Sequence, residues 1–370
     1  MGVLFPPDRL MNIALIIYGS LDTVSGGYLY DRMLVERLRA SGHKVDIISL
    51  PWRNYVRHLL DNFSNRIYQQ ILQNSYDVVL QDELNHPSLI RLNTRLKGKF
   101  PLISIVHHLR ISEGDWFCNP VGYAYRFFER RYLASVDAML FTSHATQQTV
   151  QALQCLPEHR HVAHPAASHL QNTKAKARSI TTLPRLLFVG NVIPRKGPLT
   201  LLQALYLHVE TKWQLTIAGR TDLDEKYTGY LQKYLQIREM DYRVRFTGPV
   251  TQEELIRLYE SHDVFVMPSQ HEGFGIVYLE AMSFGLPVIA SSAGGAVDIV
   301  QHGKNGFLVN PGHAAQVANV IKQLSDSSVY RKFSEGAIRT YQSHPNWEMS
   351  MNGVEQFIKE TVAKWRKNEK

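Results

Sequence analysis

Glu272 and Glu280, with seven residues between them, lie in the run Pro268-Ser269-Gln270-His271-Glu272-Gly273-Phe274-Gly275-Ile276-Val277-Tyr278-Leu279-Glu280-Ala281-Met282. The pattern predicts a helix over about 276–284, ended by Gly285 and kept from continuing by Pro287. Glu272 then precedes the helix and Glu280 lies about one turn inside it. Two carboxylates so placed can each accept hydrogen bonds from hydroxyl pairs. The backbone N–H groups around Gly273, Phe274, Gly275 and Ile276 would meanwhile face a phosphate or a sugar. A helix-start acid plus an exposed helical glutamate would account for either residue alone, but not for the glycines and the spacing.

Cations come from a second segment, Gly190-Asn191-Val192-Ile193-Pro194-Arg195-Lys196-Gly197, which follows an apolar run and precedes a helix near Pro198. Arg195 offers a planar fork and Lys196 a point charge, a pair suited to a diphosphate at a helix start. The plain alternative is a solvated basic turn. A third segment, His107-His108-Leu109-Arg110, ends another apolar run. Neutral ring nitrogens there could accept a hydrogen bond from a sugar hydroxyl or polarise it. Adjacent residues at a strand end point opposite ways, so only one histidine should face a ligand. Ser25-Gly26-Gly27 opens a helix where the backbone could approach a ligand closely, although a turn without a ligand reads equally well. Asp222 and Asp224 have metal-ligand spacing but begin a helical stretch, where acids favour the dipole, and no metal site is expected.

The elements that must position these residues are short runs rich in Val, Ile, Leu and Phe, each followed by a helix-like stretch. They fall at 12–18, 45–50, 76–80, 101–106, 137–142 and 161–164, then at 185–190, 213–218, 243–247, 263–267, 286–290 and 306–309. Continuous apolarity argues for strands covered on both faces, as in a parallel α/β sheet. A polar stretch without apolar period separates the two sets. The expected domains are therefore residues 1–168, a linker at 169–184, and residues 185–345, with a C-terminal helix at about 346–370 packing back toward the first domain. Ligands of doubly wound sheets bind beyond the carboxyl ends of the strands, which puts the expected site in a cleft between the domains.

Composition narrows the class. With 44% apolar and 20% charged residues among 370, the chain reads as an ordinary globular protein, and it holds no run of eighteen apolar residues. Its N-terminus lacks the basic start and apolar stretch of a signal peptide. The two cysteines cannot form a disulfide framework, so a reducing, cytoplasmic setting is expected. The net charge of +8 suits a polyanionic partner. The excess is spread along the chain, and nothing resembles a nucleic-acid-binding tail. A local exception is Arg91 to Arg110, where Arg91, Arg95, Lys97, Lys99 and Arg110 occur without an acid.

Taken together, these segments resemble retaining glycosyltransferases of family 4, which have the GT-B fold: two Rossmann-like domains facing each other across a cleft. The Glu272–Glu280 pattern is the most specific point of resemblance. Arg245 to Val250, Ala293-Gly294-Gly295 and Gly303 to Pro311 resemble further family loops. The resemblance implies that Glu272 contacts the transferred sugar, Glu280 the ribose hydroxyls, Lys196 the diphosphate, and backbone near Val250 the nucleobase. It makes His107 the strand-end histidine beside the reacting sugar, with Gly26, His108 and Arg110 near the acceptor and Gly27 near the donor. The family usually has an arginine where this sequence has Asn191, and Arg195 is expected to supply that charge.

The expected reaction is hexosyl transfer from a nucleotide sugar, UDP-linked in the commonest case, to a hydroxyl, with retention and without a cofactor or essential metal. The region around Gln81 to Leu89 and His107 to Glu113 is similar to cyanobacterial enzymes of galactolipid synthesis. A monoglycosyl-diacylglycerol acceptor with UDP-galactose is the most concrete expectation, and a polysaccharide or soluble glycan the alternative. Trp52, Arg53, the basic stretch and Tyr123 to Tyr132 would then form a face for peripheral contact with an anionic membrane. That last stretch reads equally as a packing helix. A sugar-nucleotide epimerase and a non-catalytic nucleotide-sugar-binding protein are the readings from other classes.

Overall fold

The computed structural model describes residues 9–112, 120–170, 176–179, 184–208 and 212–368. It divides into two units, residues 1–165 with 345–370, and residues 166–344. In the first, strands Asn12–Tyr18 (β1), Lys44–Leu50 (β2), Val78–Asp82 (β3), Leu102–Val106 (β4), Ala138–Phe141 (β5) and Arg160–Val162 (β6) form a parallel sheet ordered β2-β1-β3-β4-β5-β6. In the second, Arg185–Val189 (β7), Gln214–Ala218 (β8), Val244–Gly248 (β9), Val264–Met267 (β10), Val288–Ser291 (β11) and Gly306–Val309 (β12) form another, ordered β12-β11-β10-β7-β8-β9.

These strands form because β-branched and aliphatic residues run unbroken through them. Residues 13–18, 78–82, 102–106 and 264–267 are buried throughout, as sheets covered by helices on both faces require. Each order reverses once, at β1/β3 in the first unit and at β7/β10 in the second. Such reversals open a crevice beyond the strand ends. Gly26 and Gly27 follow β1 and Asp82 ends β3, while Lys196 follows β7 and Glu272 follows β10. The chemistry-bearing residues thus gather where the topology leaves room for them.

The domain boundaries differ from the sequence expectation. Residues 166–170 and 176–179, placed in the first domain or the linker by sequence, belong to the second unit. The cause is visible at Arg178. Its guanidinium donates to the carbonyls of Tyr259, Glu260 and His262, and its N–H donates to Ser334. The rest of the expected linker, residues 171–175 and 180–183, lies outside the described residues. The helix Trp347–Asn368 returns to the first unit, where Glu355 takes Arg37 at 3.0 Å from the helix Gly26–Ala40 and Ser41, the C-cap of that helix, at 2.7 Å.

Candidate functional site

In the second unit the loops after β7 and β10 are knitted together. Gly197 makes this possible: its φ is +75°, and a Cβ there would lie 2.2 Å from the carbonyl oxygen of Pro268. Only a glycine lets the β7 loop press so closely on the β10 loop. The Gln270 N–H then donates to the Arg195 carbonyl at 2.7 Å, and the Arg195 guanidinium donates to the His271 carbonyl at 3.1 Å. Lys196 Nζ stands 2.8 Å from both carboxylate oxygens of Glu272, and Arg195 lies 3.9 Å from the nearer one. Burial pushes the Glu272 carboxyl up, but Lys196 and Arg195 outweigh it and hold it below the usual range. Glu272 is therefore an ionised, buried carboxylate with both oxygens committed to a lysine.

The helix after this loop runs Ile276–Ser283, as the sequence pattern predicts, with Gly275 at its N-cap in the left-handed region. Glu280 is buried rather than lying on an exposed helical face. Tyr259 donates its hydroxyl to one Glu280 oxygen at 2.8 Å, and His169 Nε2 lies 3.2 Å from the other. Val250 helps line a depression of about 460 Å³ with Arg245, Thr247, Pro249, Glu254 and Arg257. Gly273 backs onto Gly295, where a Cβ would lie 2.0 Å from the Gly273 carbonyl. Phe274 is buried against His344, ring centroids 5.9 Å apart. Asn191 accepts from the Ile193 N–H through its backbone carbonyl at 2.9 Å. Asp222 pairs with Arg220 at 2.7 Å and Asp224 caps the helix Glu225–Ile237, the roles expected of helix-start acids.

In the first unit, Gly27 lies against the face of His107, a Cβ there being 3.5 Å from the ring. His107 Nε2 is 3.1 Å from Asp31 Oδ1, and the N–H groups of His107 and His108 both point to Glu83 Oε2, at 2.8 and 3.4 Å. Burial pulls the His107 pKa down, but Asp31, Asp82 and Glu83 outweigh it, and it is pushed up to about 9. The ring is an imidazolium near neutral pH. The acids around the ring thus favour its charged form over the neutral ring that the sequence alone suggests. Burial, with Asp31 nearby, pushes Asp82 up to about 7. Asp31, Asp82 and His107 bring one carboxylate or imidazole atom each within 4.8 Å of one another, a spacing that could also hold a metal ion.

Arg110 is not part of an open surface. Its guanidinium lies over Tyr125 at 4.6 Å and Tyr55 at 5.5 Å, while its N–H donates to buried Glu129 at 2.6 Å. The side chain is half-buried, so it is less available than the open surface base the sequence suggests. Gly26 is an exposed first residue of its helix.

Residues 171–340 match the family model described as glycosyl transferases group 1. The second unit is a group 1 glycosyl transferase domain. A D-inositol 3-phosphate glycosyltransferase of Pseudarthrobacter chlorophenolicus is 37% identical over 150 residues, or 40% of this chain and 35% of that one. The chain thus spans about a third of the length of that curated relative. Among solved structures, a sucrose-phosphate synthase from Thermosynechococcus elongatus superposes with a TM-score of 0.79 at 22% identity, covering 96% of this chain and 100% of that one. The Anabaena protein HepE, solved with UDP and glucose, gives 0.73 at 18% identity over 94% and 99%. These likenesses bear out the GT-B fold.

Within the glycosyl transferase domain, the structure gathers Arg195, Lys196 and Glu272, all named from sequence. In the first unit it gathers Gly27 and His107. Sequence reasoning missed Asp31, Asp82, Glu83, Tyr259 and His169. Two signals were available. Asp31 is a charge on the apolar face of a helix that also buries Tyr28, Leu34, Val35 and Leu38, and Asp82-Glu83 stands at the end of a buried strand.

Proposed function

We propose that the protein transfers a hexose from a UDP-sugar to a hydroxyl of a membrane lipid or glycolipid, with retention and without an essential metal. The observation that carries the donor half is the Arg195–Lys196–Glu272 constellation at the β7/β10 reversal, beside a helix start. Two cations there neutralise a leaving diphosphate, where removing one preorganised donor typically costs about 10²–10³ in rate. The UDP in the HepE structure supports uridine as the base. Glu280 and the backbone near Val250 take the ribose and the nucleobase.

Retention ordinarily needs either a nucleophile or a reaction on one face of the sugar. Glu272 makes a poor nucleophile because Lys196 occupies both of its oxygens, which favours the one-face route. The charge that builds on the leaving phosphate then carries most of the barrier. As an imidazolium, His107 donates to an oxygen of the reacting sugar or its acceptor.

A stripe of exposed apolar residues supports the lipid acceptor. Trp52, Val56, Leu60 and Phe63 project from the helix Tyr55–Asp61 and its flanks, with Arg53 and Arg57 among them. Arg91 lies over Phe63, and Arg95 over Tyr68. Tyr123 and Phe127 are exposed on the helix Pro120–Leu133, which meets Tyr55 through Tyr125. Apolar side chains interleaved with arginines suit the headgroup region of an anionic membrane. Among the described residues no helix is long and apolar enough to cross one. Galactosyl transfer from UDP-galactose to a monoglycosyl-diacylglycerol is the specific form of this reading. The inositol phosphate relative favours a second reading, a soluble hydroxylated acceptor.

A screen of labelled UDP-sugars against membrane extract in excess chelator, with lipid and aqueous products separated, tests all of this. Label in the lipid fraction with retained anomeric configuration is expected. Label only in aqueous glycan moves the acceptor to the second reading. Conversion of donor alone into its epimer, or no conversion at all, overturns the transferase.

A further inference from the structure

His107 is fixed at three points. Its ring gives Nε2 to Asp31, its N–H donates to Glu83 at 2.8 Å, and its carbonyl accepts from Thr142 at 3.4 Å. The edge of Tyr30 meets the ring at 5.4 Å and 80°, and Gly27 covers its face. Of the polar atoms of His107, Nδ1 is the one left over for another molecule.

Asp31 is fully buried, and its Oδ2 has no hydrogen-bond partner. A buried carboxylate is costly unless paired, and a well-packed apolar residue of similar volume is often as stable or more so. The hydrogen bond Asp31 makes with its carboxylate is to His107. A role confined to packing leaves that arrangement without a reason.

We propose that Asp31 is a positioning residue for the transfer reaction: by taking Nε2 of His107 it fixes the ring so that Nδ1 is presented as a hydrogen-bond donor to a substrate oxygen. The proposal rests on the reading of His107 as the histidine beside the reacting sugar. The titratable groups around the ring are Asp31 and Tyr30 from the helix Gly26–Ala40, and Asp82 and Glu83 from the end of β3. All three acids favour the charged ring, Asp31 most, while burial pushes the Asp82 and Glu83 carboxyls up toward their own neutral forms; Asp31 alone among them makes a hydrogen bond to the ring. A carboxylate on one ring nitrogen fixes the orientation of the ring, and on a protonated ring the other nitrogen then carries an N–H that can donate.

The test compares Asp31→Asn, Asp31→Ala, His107→Ala and the double variant Asp31→Ala/His107→Ala, with the folded fraction of each set by circular dichroism. The readout is UDP release from the UDP-sugar chosen by the donor screen, in the presence of its acceptor. Asp31→Ala should lower kcat about tenfold or more, with donor KM within about twofold of the parent. The double variant should be no slower than His107→Ala. Asp31→Asn keeps the shape and an acceptor oxygen but loses the charge, so the alkaline limb of its kcat profile should move to lower pH. Full kcat in Asp31→Ala, multiplied losses in the double variant, or an unmoved limb in Asp31→Asn each overturns the proposal. So does a requirement for added manganese that Asp31→Asn abolishes, because the cluster would then hold a cation. Full activity in His107→Ala instead refutes the role given to His107, whereas a slow His107→Ala beside a normal Asp31→Ala refutes Asp31 alone.

Discussion

Lys196→Ala should weaken the fold of the second unit as well as the site. Lys196 Nζ lies 2.8 Å from both oxygens of Glu272, and the two side chains are 18% and 7% exposed. Removing one partner of a buried pair usually costs about 3–5 kcal/mol, because the other charge stays behind unpaired. Arg195 remains 3.9 Å away and recovers part of this. A loss of about 2–3 kcal/mol is therefore expected at pH 7, which for a unit of this size lowers Tm by roughly 4–12 °C.

The pH dependence has a definite sign. The folded Glu272 carboxyl is held below its ordinary value, so its pairing stabilises fully above about pH 4.5 and is lost as pH falls through the depressed folded value. In the variant, burial acts without the lysine and the carboxyl rises. Protonation then relieves the unpaired charge as pH falls. The gap between parent and variant should thus shrink from pH 7 to pH 4. Urea unfolding at both pH values, followed through the second unit, measures it. Lys196→Ala/Glu272→Gln should regain most of the loss at pH 7. If Lys196→Ala matches the parent at pH 7, or the double variant is no more stable than the single one, the two side chains do not form a buried ion pair.

Gly197→Ala should destabilise by about 1–3 kcal/mol and raise donor KM, since φ is +75° and a Cβ would meet the Pro268 carbonyl at 2.2 Å; calorimetry and donor titration check it. Burial pushes the Glu355 carboxyl up, but Lys359, Ser41 and Arg37 outweigh this and hold it down to about 2, so its contribution is whole above pH 4.5 and lost as pH falls toward 2. Glu355→Gln should cost the first unit about 1–2 kcal/mol at pH 7, allowing for solvent screening, and roughly a quarter of that at pH 2.5, as read by urea unfolding at each pH. Anionic liposomes should float the protein at low salt and release part of it at high salt, while Arg91→Glu/Lys97→Glu/Lys99→Glu should weaken flotation; equal flotation with neutral liposomes would count against an electrostatic surface.

Nearly every strand was legible in the sequence because a strand buried on both faces has a one-dimensional signature. Runs such as Asn12-Ile13-Ala14-Leu15-Ile16-Ile17-Tyr18 need no knowledge of their neighbours, and β1, β12 and the helix at Ile276 start where the pattern puts them. Lys196 and Glu272 were legible for a related reason: each sits at a fixed offset from a glycine and a helix start. What could not be read was charge state. The sequence shows two histidines after a strand. Whether His107 is neutral depends on Asp31, 76 positions away, and on Asp82 and Glu83 at the end of a different strand. Arg110 shows the same limit: it counts as a free surface base in the sequence, whereas its guanidinium lies over Tyr55 and Tyr125 and is half-buried. Meanwhile the short helix Tyr55–Asp61 leaves Val56 and Leu60 exposed, which the sequence did not single out. Residue types and local spacing therefore fix which groups can do chemistry. The partners that set each group's charge come from elsewhere in the sheet, and for His107 those partners favour the protonated, donating ring over the neutral one the sequence suggests.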